Sequence, residues 1–350
     1  MVGWFDTGKG PTVAEIGEFG LIELLSQQLG DGATGAAGVS VGIGDDACVL
    51  APTPGRELLV TCDSLVEGRH FLTEFCSPED VGRRAAAVNL SDVGAMGGEP
   101  RAALVSLGLR PETPVSAVEA LYRGLSAEFS PLGVAIAGGN CTAVPGPCFV
   151  DVTLLGEVGA GRAVRRSDAR VGDAVLVTGH LGMGAAGLAV LQRLGTAGGE
   201  DFPTLSEAYR RPRHRAQEGR ELGSTGLLHA MIDISDGLLG DAGHLARASG
   251  VGVTLWVGRL PVHPELIGAA GRLGVDPLDW ILGASDDYQL LFTCAQEDSE
   301  TLVKRGSGVT GVPVTRIGKV GEEPGVWLED ERGERHRAEG GWDHFRKSSG

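Results

Sequence analysis

No apolar stretch in this 350-residue chain approaches the ~20 residues needed to span a bilayer, and its first residues lack the basic-then-apolar pattern of a secretory signal. A cytoplasmic protein with no membrane partner is the expectation. The six cysteines (Cys48, Cys62, Cys76, Cys141, Cys148 and Cys294) form no CxxC pair. Neither a zinc site nor a disulfide framework is indicated, and most of them should be small core residues. Basic residues are in the minority, 30 against 46 acidic ones, for a formal net charge of -16. With no concentrated basic face, a nucleic-acid partner is excluded. An anionic substrate must then be reached through metal ions.

Familiar catalytic signatures are missing too. GxxxxGK[ST] is absent, which removes P-loop nucleotidases, and so are the HRD and DFG signatures of protein kinases. HExxH and EF-hand spacing do not occur either, and zinc peptidases and calcium sensors fall away with them; GxSxG occurs once, at Gly38-Val39-Ser40-Val41-Gly42.

What is present starts with glycine. Its 57 residues are roughly twice the usual ~7% share, which suggests tight turns and close backbone approaches, although a GC-rich genome also raises glycine. Hydrophobic content of 42% and charged content of 22% are ordinary for a globular protein. The length calls for two domains, and the glycine- and arginine-rich stretch from Gly159 to Gly172 divides them into 1–160 and 161–350. Ala14 to Leu29 reads as a helix, Gly30 to Gly38 as a mobile loop, and Val39 to Leu50 and Glu57 to Cys62 as β-like runs. Ser77-Pro78-Glu79-Asp80 starts a helix that should bury Val81, Ala85 and Val88 and deliver Asn89 and Asp92 near its far end. A strand at Arg101 to Leu109, a helix after Thr113-Pro114, and strands at Val134 to Ala137 and Cys148 to Gly156 complete the first layer. Strand Ala174 to Thr178, helix Ala185 to Leu194, a polar stretch to Arg220, a helix after Asp236 and three later strands follow.

Acidic clusters punctuate these elements: Asp45-Asp46, Asp63, Asp92, Asp233-Ile234-Ser235-Asp236, Asp241 and Asp286-Asp287. A carboxylate at the edge of a core costs several kcal/mol unless a cation or donors compensate it, and no lysine or arginine alternates with these. Oxygen-only ligands suit Mg2+, and Mg2+ leads to phosphate. Each cluster has a plainer reading as a turn, a solvated loop, a helix stop or an N-cap. Two glycine motifs act as decoys. Gly42-Ile43-Gly44-Asp45-Asp46-Ala47 fits GxGxxA but runs on into strand, and Gly182-Met183-Gly184-Ala185-Ala186-Gly187 lacks the second strand of a dinucleotide unit. Close strand-to-helix packing explains the second motif more simply.

Taken in order, GIGDDACVL, VTCDSLVEGRHF, AVNLSDVGAMGGEP, AGGN, GRAVRRS, DISDGL, ASDDYQLLF and GWDHF resemble the thiamine-monophosphate kinases, from about Glu15 to Phe345. The resemblance implies an aminoimidazole-ribonucleotide-synthetase-like fold. Its N-terminal α/β domain binds ATP and Mg2+, and its four-stranded sheet pairs with a twin in a dimer barrel; an α+β domain follows. It implies a homodimeric enzyme that uses ATP and several Mg2+ ions to phosphorylate thiamine monophosphate. By motif, Asp45, Asp46, Thr61, Cys62 (through its backbone), Asp63, Asp92, Asn140, Asp233 and Asp236 would hold metal, with Asp63, Asp92 and Asp236 at the centre of the chemistry. Gly139, Asn140, Arg166 and Ser235 would touch ATP, and His70, Asp286 and Trp342 the thiamine phosphate. The chain departs from the family at Asn140 (usually Asp), at Asp286 (usually Glu), at Ala284 and Ser285 (usually glycines) and at His214 (usually proline). Another ATP-dependent enzyme of the superfamily, or a catalytically weakened ATP- or thiamine-phosphate-binding protein, is the alternative.

Overall fold

The computed structural model describes residues 10–30, 38–338 and 340. Trp342, the tail after Phe345 and the interior of the Gly30–Gly38 loop lie outside the described residues. The chain divides into two units, Met1–Val93 with Glu99–Gly161, and Gly94–Gly98 with Arg162–Gly350.

The first unit contains helix α1 (Val13–Leu29), strands β1 (Val39–Val41), β2 (Val49–Leu50) and β3 (Arg56–Val66), helix α2 (Pro78–Ala95), strand β4 (Glu99–Leu109), helix α3 (Val115–Phe129) and strands β5 (Ala135–Ala143) and β6 (Phe149–Gly159). The start of α2 was legible because Ser77 and Asp80 satisfy one another. The Asp80 N–H donates to Ser77 Oγ (3.2 Å), and the Ser77 N–H returns a bond to Asp80 Oδ2 (2.9 Å). Val81, Ala85 and Val88 are buried, as the helical period requires. A Cβ on Gly82 would lie 1.9 Å from the Leu121 carbonyl and one on Gly124 2.1 Å from that of Glu79, so α2 and α3 touch backbone to backbone through reciprocal glycines.

These helices cover one face of a sheet ordered β3-β6-β4-β5, in which only β4 and β5 run parallel. Pleating divides β3 between the faces. Thr61 and Asp63 lie opposite the buried Leu154 and Val152 on the α2 side, while Leu58, Val60, Cys62 and Ser64 point to the other. The run Val39 to Leu50 is two short strands closing around the Gly42–Ala47 turn, and α1 is broken at Gly17.

The second unit contains β7 (Ala174–Thr178), α4 (Met183–Asp201), α5 (Pro203–Arg210), α6 (Ala216–Ser224), β8 (Leu228–Ile234), α7 (Leu238–Ser249), β9 (Gly252–Trp256), α8 (Pro264–Leu273), α9 (Pro277–Leu282), β10 (Gln289–Cys294), α10 (Ser299–Thr310), β11 (Val314–Gly321), β12 (Gly325–Glu329) and β13 (Arg335–Ala338). Its sheet runs β13-β12-β9-β11-β7-β10-β8, antiparallel except for β9 beside β12. Both faces are covered. Val175 and Val177 pack with Ile232, Ile234 and Leu245 on one side, while Ala174 and Leu176 pack with Leu222, Phe292 and Leu302 on the other. The stretch before Arg220, expected as merely polar, holds the short helices α5 and α6.

The glycines at the head of α4 serve close packing, as expected. A Cβ on Gly184 would fall 2.2 Å from the Ser285 carbonyl, and one on Gly187 2.0 Å from that of Leu205. The helix N-terminus, where a dinucleotide's phosphates would sit, is taken by a side chain of the chain itself. Asp287 accepts from the N–H groups of Gly182 (2.6 Å) and Gly184 (3.3 Å).

Candidate active site

In the first unit, β3 and α2 bring Thr61, Asp63 and Asp92 together. The Thr61 hydroxyl donates to Asp92 Oδ2. Burial first, then Asp92 and Asp151, push the Asp63 carboxyl up to about 7. Asp63 still has an open surface, so crowding by its acidic neighbours is the firmer of these causes. Asp151 was missed by sequence reasoning. Its carboxylate takes bonds from the Cys62 thiol (3.3 Å) and the Ser64 hydroxyl. The signal was a lone acid in the alternating run Phe149-Val150-Asp151-Val152-Thr153, where a solvated strand face would have been the ordinary explanation. Cys62 is exposed and only Cys76, Cys148 and Cys294 are buried, so half of the cysteines, rather than most, are core residues.

A second group surrounds a cavity of about 730 Å3 in the same unit, lined by Asp45, Asp46, Gly139, Asn140, Ser106 and Thr153 among others. The Asp45 carboxylate folds back onto the N–H of Asp46 (2.8 Å) and shapes the turn. Gly139 approaches β4 so closely that a Cβ would lie 1.9 Å from the Val105 carbonyl, next to an irregularity in the β4–β5 register. One rung of the sheet carries Ser64, Asp151, Ser106 and Asn140 in turn. Asn140 therefore shares a sheet face with Asp151, while Thr61 and Asp63 point to the opposite face. No hydrogen bond joins the Asp45-Asp46 turn to Asp63 or Asp92 among the described residues. His70 lies elsewhere, in the loop after β3, where its Nδ1 accepts from the Val66 N–H (3.0 Å); the neutral ring then carries its proton on Nε2.

In the second unit, the end of β8 carries Asp233 and the loop from β8 to α7 carries Ser235 and Asp236. The loop is organised by Asp241, an acid to which the sequence alone attaches no role. Asp241 is buried, and its Oδ2 accepts the consecutive N–H groups of Ser235 and Asp236, each at 3.0 Å. Burial first, then Asp233 and Asp236, push its carboxyl up to about 8 against the pull of those two donors. Asp236, Asp241 and His244 place possible ligand atoms within 4.8 Å of one another. His244 is held below its usual range by burial and Arg247, with Arg166 adding to the effect and Asp236 opposing it.

Asp286 adjoins the same loop, its N–H reaching the Ser235 carbonyl (3.3 Å) while the Tyr288 hydroxyl donates to its Oδ1 (3.3 Å). Asp286 and Tyr288 are both left-handed, at φ 51° and 50°. Backbone strain therefore sits on either side of Asp287, not at Ala284 or Ser285, where the family's glycines would have been cheap.

The donors are oxygen throughout, apart from His244, and in both units they are crowded enough to hold a proton near neutral pH. That is the environment a hard, oxygen-seeking divalent cation relieves, and the residues present fit Mg2+.

The two folds and their acidic loops define an AIR synthase related protein: residues 44–158 match its N-terminal domain and residues 170–330 its C-terminal domain. Within that class, the chain is 35% identical over 287 residues to the thiamine-monophosphate kinase of Bacillus subtilis, covering 81% of this chain and 86% of that one. The crystal structure of the thiamine-monophosphate kinase from Stenotrophomonas maltophilia superposes with a TM-score of 0.77 at 34% identity, covering 89% of this chain and 95% of the other. AaThiL complexed with AMPPCP and TMP gives 0.72 at 33% identity, covering 97% and 100%. The chain belongs to the thiamine-monophosphate kinase family.

Proposed function

We propose that this chain transfers the terminal phosphoryl group of ATP to the phosphate of thiamine monophosphate, releasing thiamine diphosphate and ADP. The observation that carries the reading is the crowding of Asp63 by Asp92 and Asp151, in a chain whose relatives include one solved with AMPPCP and TMP. Mg2+, when bound, supplies neutralisation of the phosphate charges, so that two anions can approach. Asp45, Asp46, Thr61, the Cys62 backbone, Asp63, Asp92 and Asn140 would hold ions from the first unit, and Asp233 and Asp236 from the second.

For ATP we assign Gly139, whose missing side chain leaves backbone exposed in the 730 Å3 cavity, together with Asn140, Arg166 and Ser235. Ser235 is held in place by its N–H bond to Asp241. For thiamine phosphate we assign His70, through its Nε2 proton, Asp286 and Trp342. Asp63, Asp92 and Asp236 are the residues on which transfer depends, acting by position and charge without a covalent enzyme intermediate. We further infer a homodimer, because β3 leaves Leu58 and Val60 51% and 64% exposed on the sheet face turned away from the helices. We place the enzyme in the cytoplasm, where ATP is available.

The test is direct. Purified protein with ATP, Mg2+ and thiamine monophosphate should yield thiamine diphosphate and ADP by chromatography, and no product above a no-enzyme control would overturn the assignment.

A further inference from the structure

A second cavity, of about 610 Å3, lies wholly within the second unit. The turn after β7 contributes His180 to it, the segment between α5 and α6 contributes Arg211, Arg213 and Arg215, and the wall before α8 contributes His263. In a chain with a formal net charge of -16, this gathers cationic and imidazole groups that none of the roles above employ.

The geometry points to an oxyanion pocket for a phosphate-type group, with Arg213 and Arg215 as its principal donors.

Arg215 is anchored at one edge only. Its Nε donates to Gln289 Oε1 (2.7 Å), which also accepts from the Thr178 hydroxyl (2.9 Å), and that hydroxyl accepts from the Leu290 N–H (2.9 Å). A buried relay rooted in β7 and β10 thus fixes the plane of the guanidinium. Its two Nη groups make no hydrogen bond or ion pair among the described residues, and neither does any nitrogen of exposed Arg213. An arginine carries five N–H donors, so these two side chains offer about nine, more than the roughly four lone-pair sites of one carboxylate can use. A phosphate, with three or four oxygens and a matching fork geometry, uses them better.

The cavity's own acids do not neutralise them. Asp287 is committed to the N–H groups of Gly182 and Gly184 at the head of α4. Glu207 is exposed on α5, and Asp286 lines the side nearest the β8–α7 loop, where Tyr288 donates to it. The remaining groups repel one another. Arg215 is held below its usual range by burial first; Glu218 and Asp287 offset part of this, and Arg213 adds to it. His180 stands edge-on to His263, ring centroids 5.1 Å apart, and is lowered by burial, by His263 and by Arg215. An arriving anion offsets the repulsion between Arg213 and Arg215.

The proposal does not depend on the kinase reading, because it concerns binding without Mg2+. Calorimetry with inorganic pyrophosphate in excess EDTA, which leaves the acidic loops unable to hold phosphate, should show saturable binding. Arg213→Ala and Arg215→Lys should each weaken it about 10-fold or more, the latter because a lysine keeps the charge and loses the fork. Arg213 is exposed, so Arg213→Ala will fold, and unchanged affinity in that variant overturns the proposal. So does an absence of saturable binding by the wild type, or malonate binding as tightly as pyrophosphate. Displacement by thiamine monophosphate would identify the phosphorylated vitamin as the source of the anion, and displacement by orthophosphate alone would identify free phosphate; either outcome keeps the pocket.

Discussion

Asp241 offers the sharpest test of how the β8–α7 loop is held. Its carboxyl titrates at about 8 in the folded chain, against an ordinary 3.8. Between those values the folded state binds a proton that the unfolded state has released, so metal-free stability falls as pH rises through that window. The full displacement sets a ceiling on the order of 5 kcal/mol, which relaxation and water entry will reduce to a few kcal/mol. Asp241→Asn imitates the protonated form: its amide oxygen can still accept from Ser235 and Asp236, and it carries no charge to desolvate. Asp241→Ala leaves both N–H groups without their acceptor, at roughly 1–3 kcal/mol each.

Unfolding in EDTA should therefore separate three behaviours. Wild type should lose stability from pH 5 to 8, the Asn variant should lose less, because only Asp63 and Asp287 still carry raised carboxyls, and should match or exceed wild type at pH 8, and the Ala variant should be the least stable at pH 5. Tryptophan fluorescence is a suitable probe, because Trp256, Trp280 and Trp327 belong to the second unit and, among the described residues, the first unit has no tryptophan. Added Mg2+ should raise the wild-type midpoint more at pH 8 than at pH 6, since protons and the cation compete for the same oxygens. An Asn variant that loses stability as steeply as wild type would refute the reasoning.

Much of this architecture was legible because its local rules agree with its tertiary ones. The Ser77–Asp80 box marks α2 without help from the rest of the chain, and the four-stranded sheet follows from runs of alternating or continuous apolar residues. The carboxylates were legible for a different reason, as an acid at the end of an apolar run needs explaining. Asp151 stayed hidden because it sits mid-strand, where its partners come from β3 and no local spacing reveals them. Asp241 stayed without a role because a helix-face acid usually meets water, and only the fold turns its oxygen onto two backbone donors. The α5–α6 region was misread since helices of 8 and 9 residues leave too few turns for a stripe to stand out. The arginines between them carry no metal or turn signature; what they share is a cavity.

The remaining expectations address the reaction, the packing and the departure at residue 140. Asp92→Ala should abolish phosphoryl transfer while leaving the fold intact, and in Asp92→Asn the Asp63 carboxyl should titrate below about 7 by NMR. Retained turnover, or an unmoved Asp63, would remove the pair from the site. Gly187→Ala should cost several kcal/mol in thermal unfolding, because its Cβ would lie 2.0 Å from the Leu205 backbone carbonyl, which no side-chain rotation can clear. Asn140→Asp is the most informative change. It puts a second negative charge on the rung that already carries Asp151, with only Ser106 between them, so without metal it should lower stability, and the loss should shrink in Mg2+. If Asn140 stands where an ion is held, the same substitution should lower the Mg2+ concentration needed for half-maximal turnover; an unchanged Mg2+ requirement would mean that this rung faces no cation, and Asn140 would then keep only its place beside the nucleotide cavity.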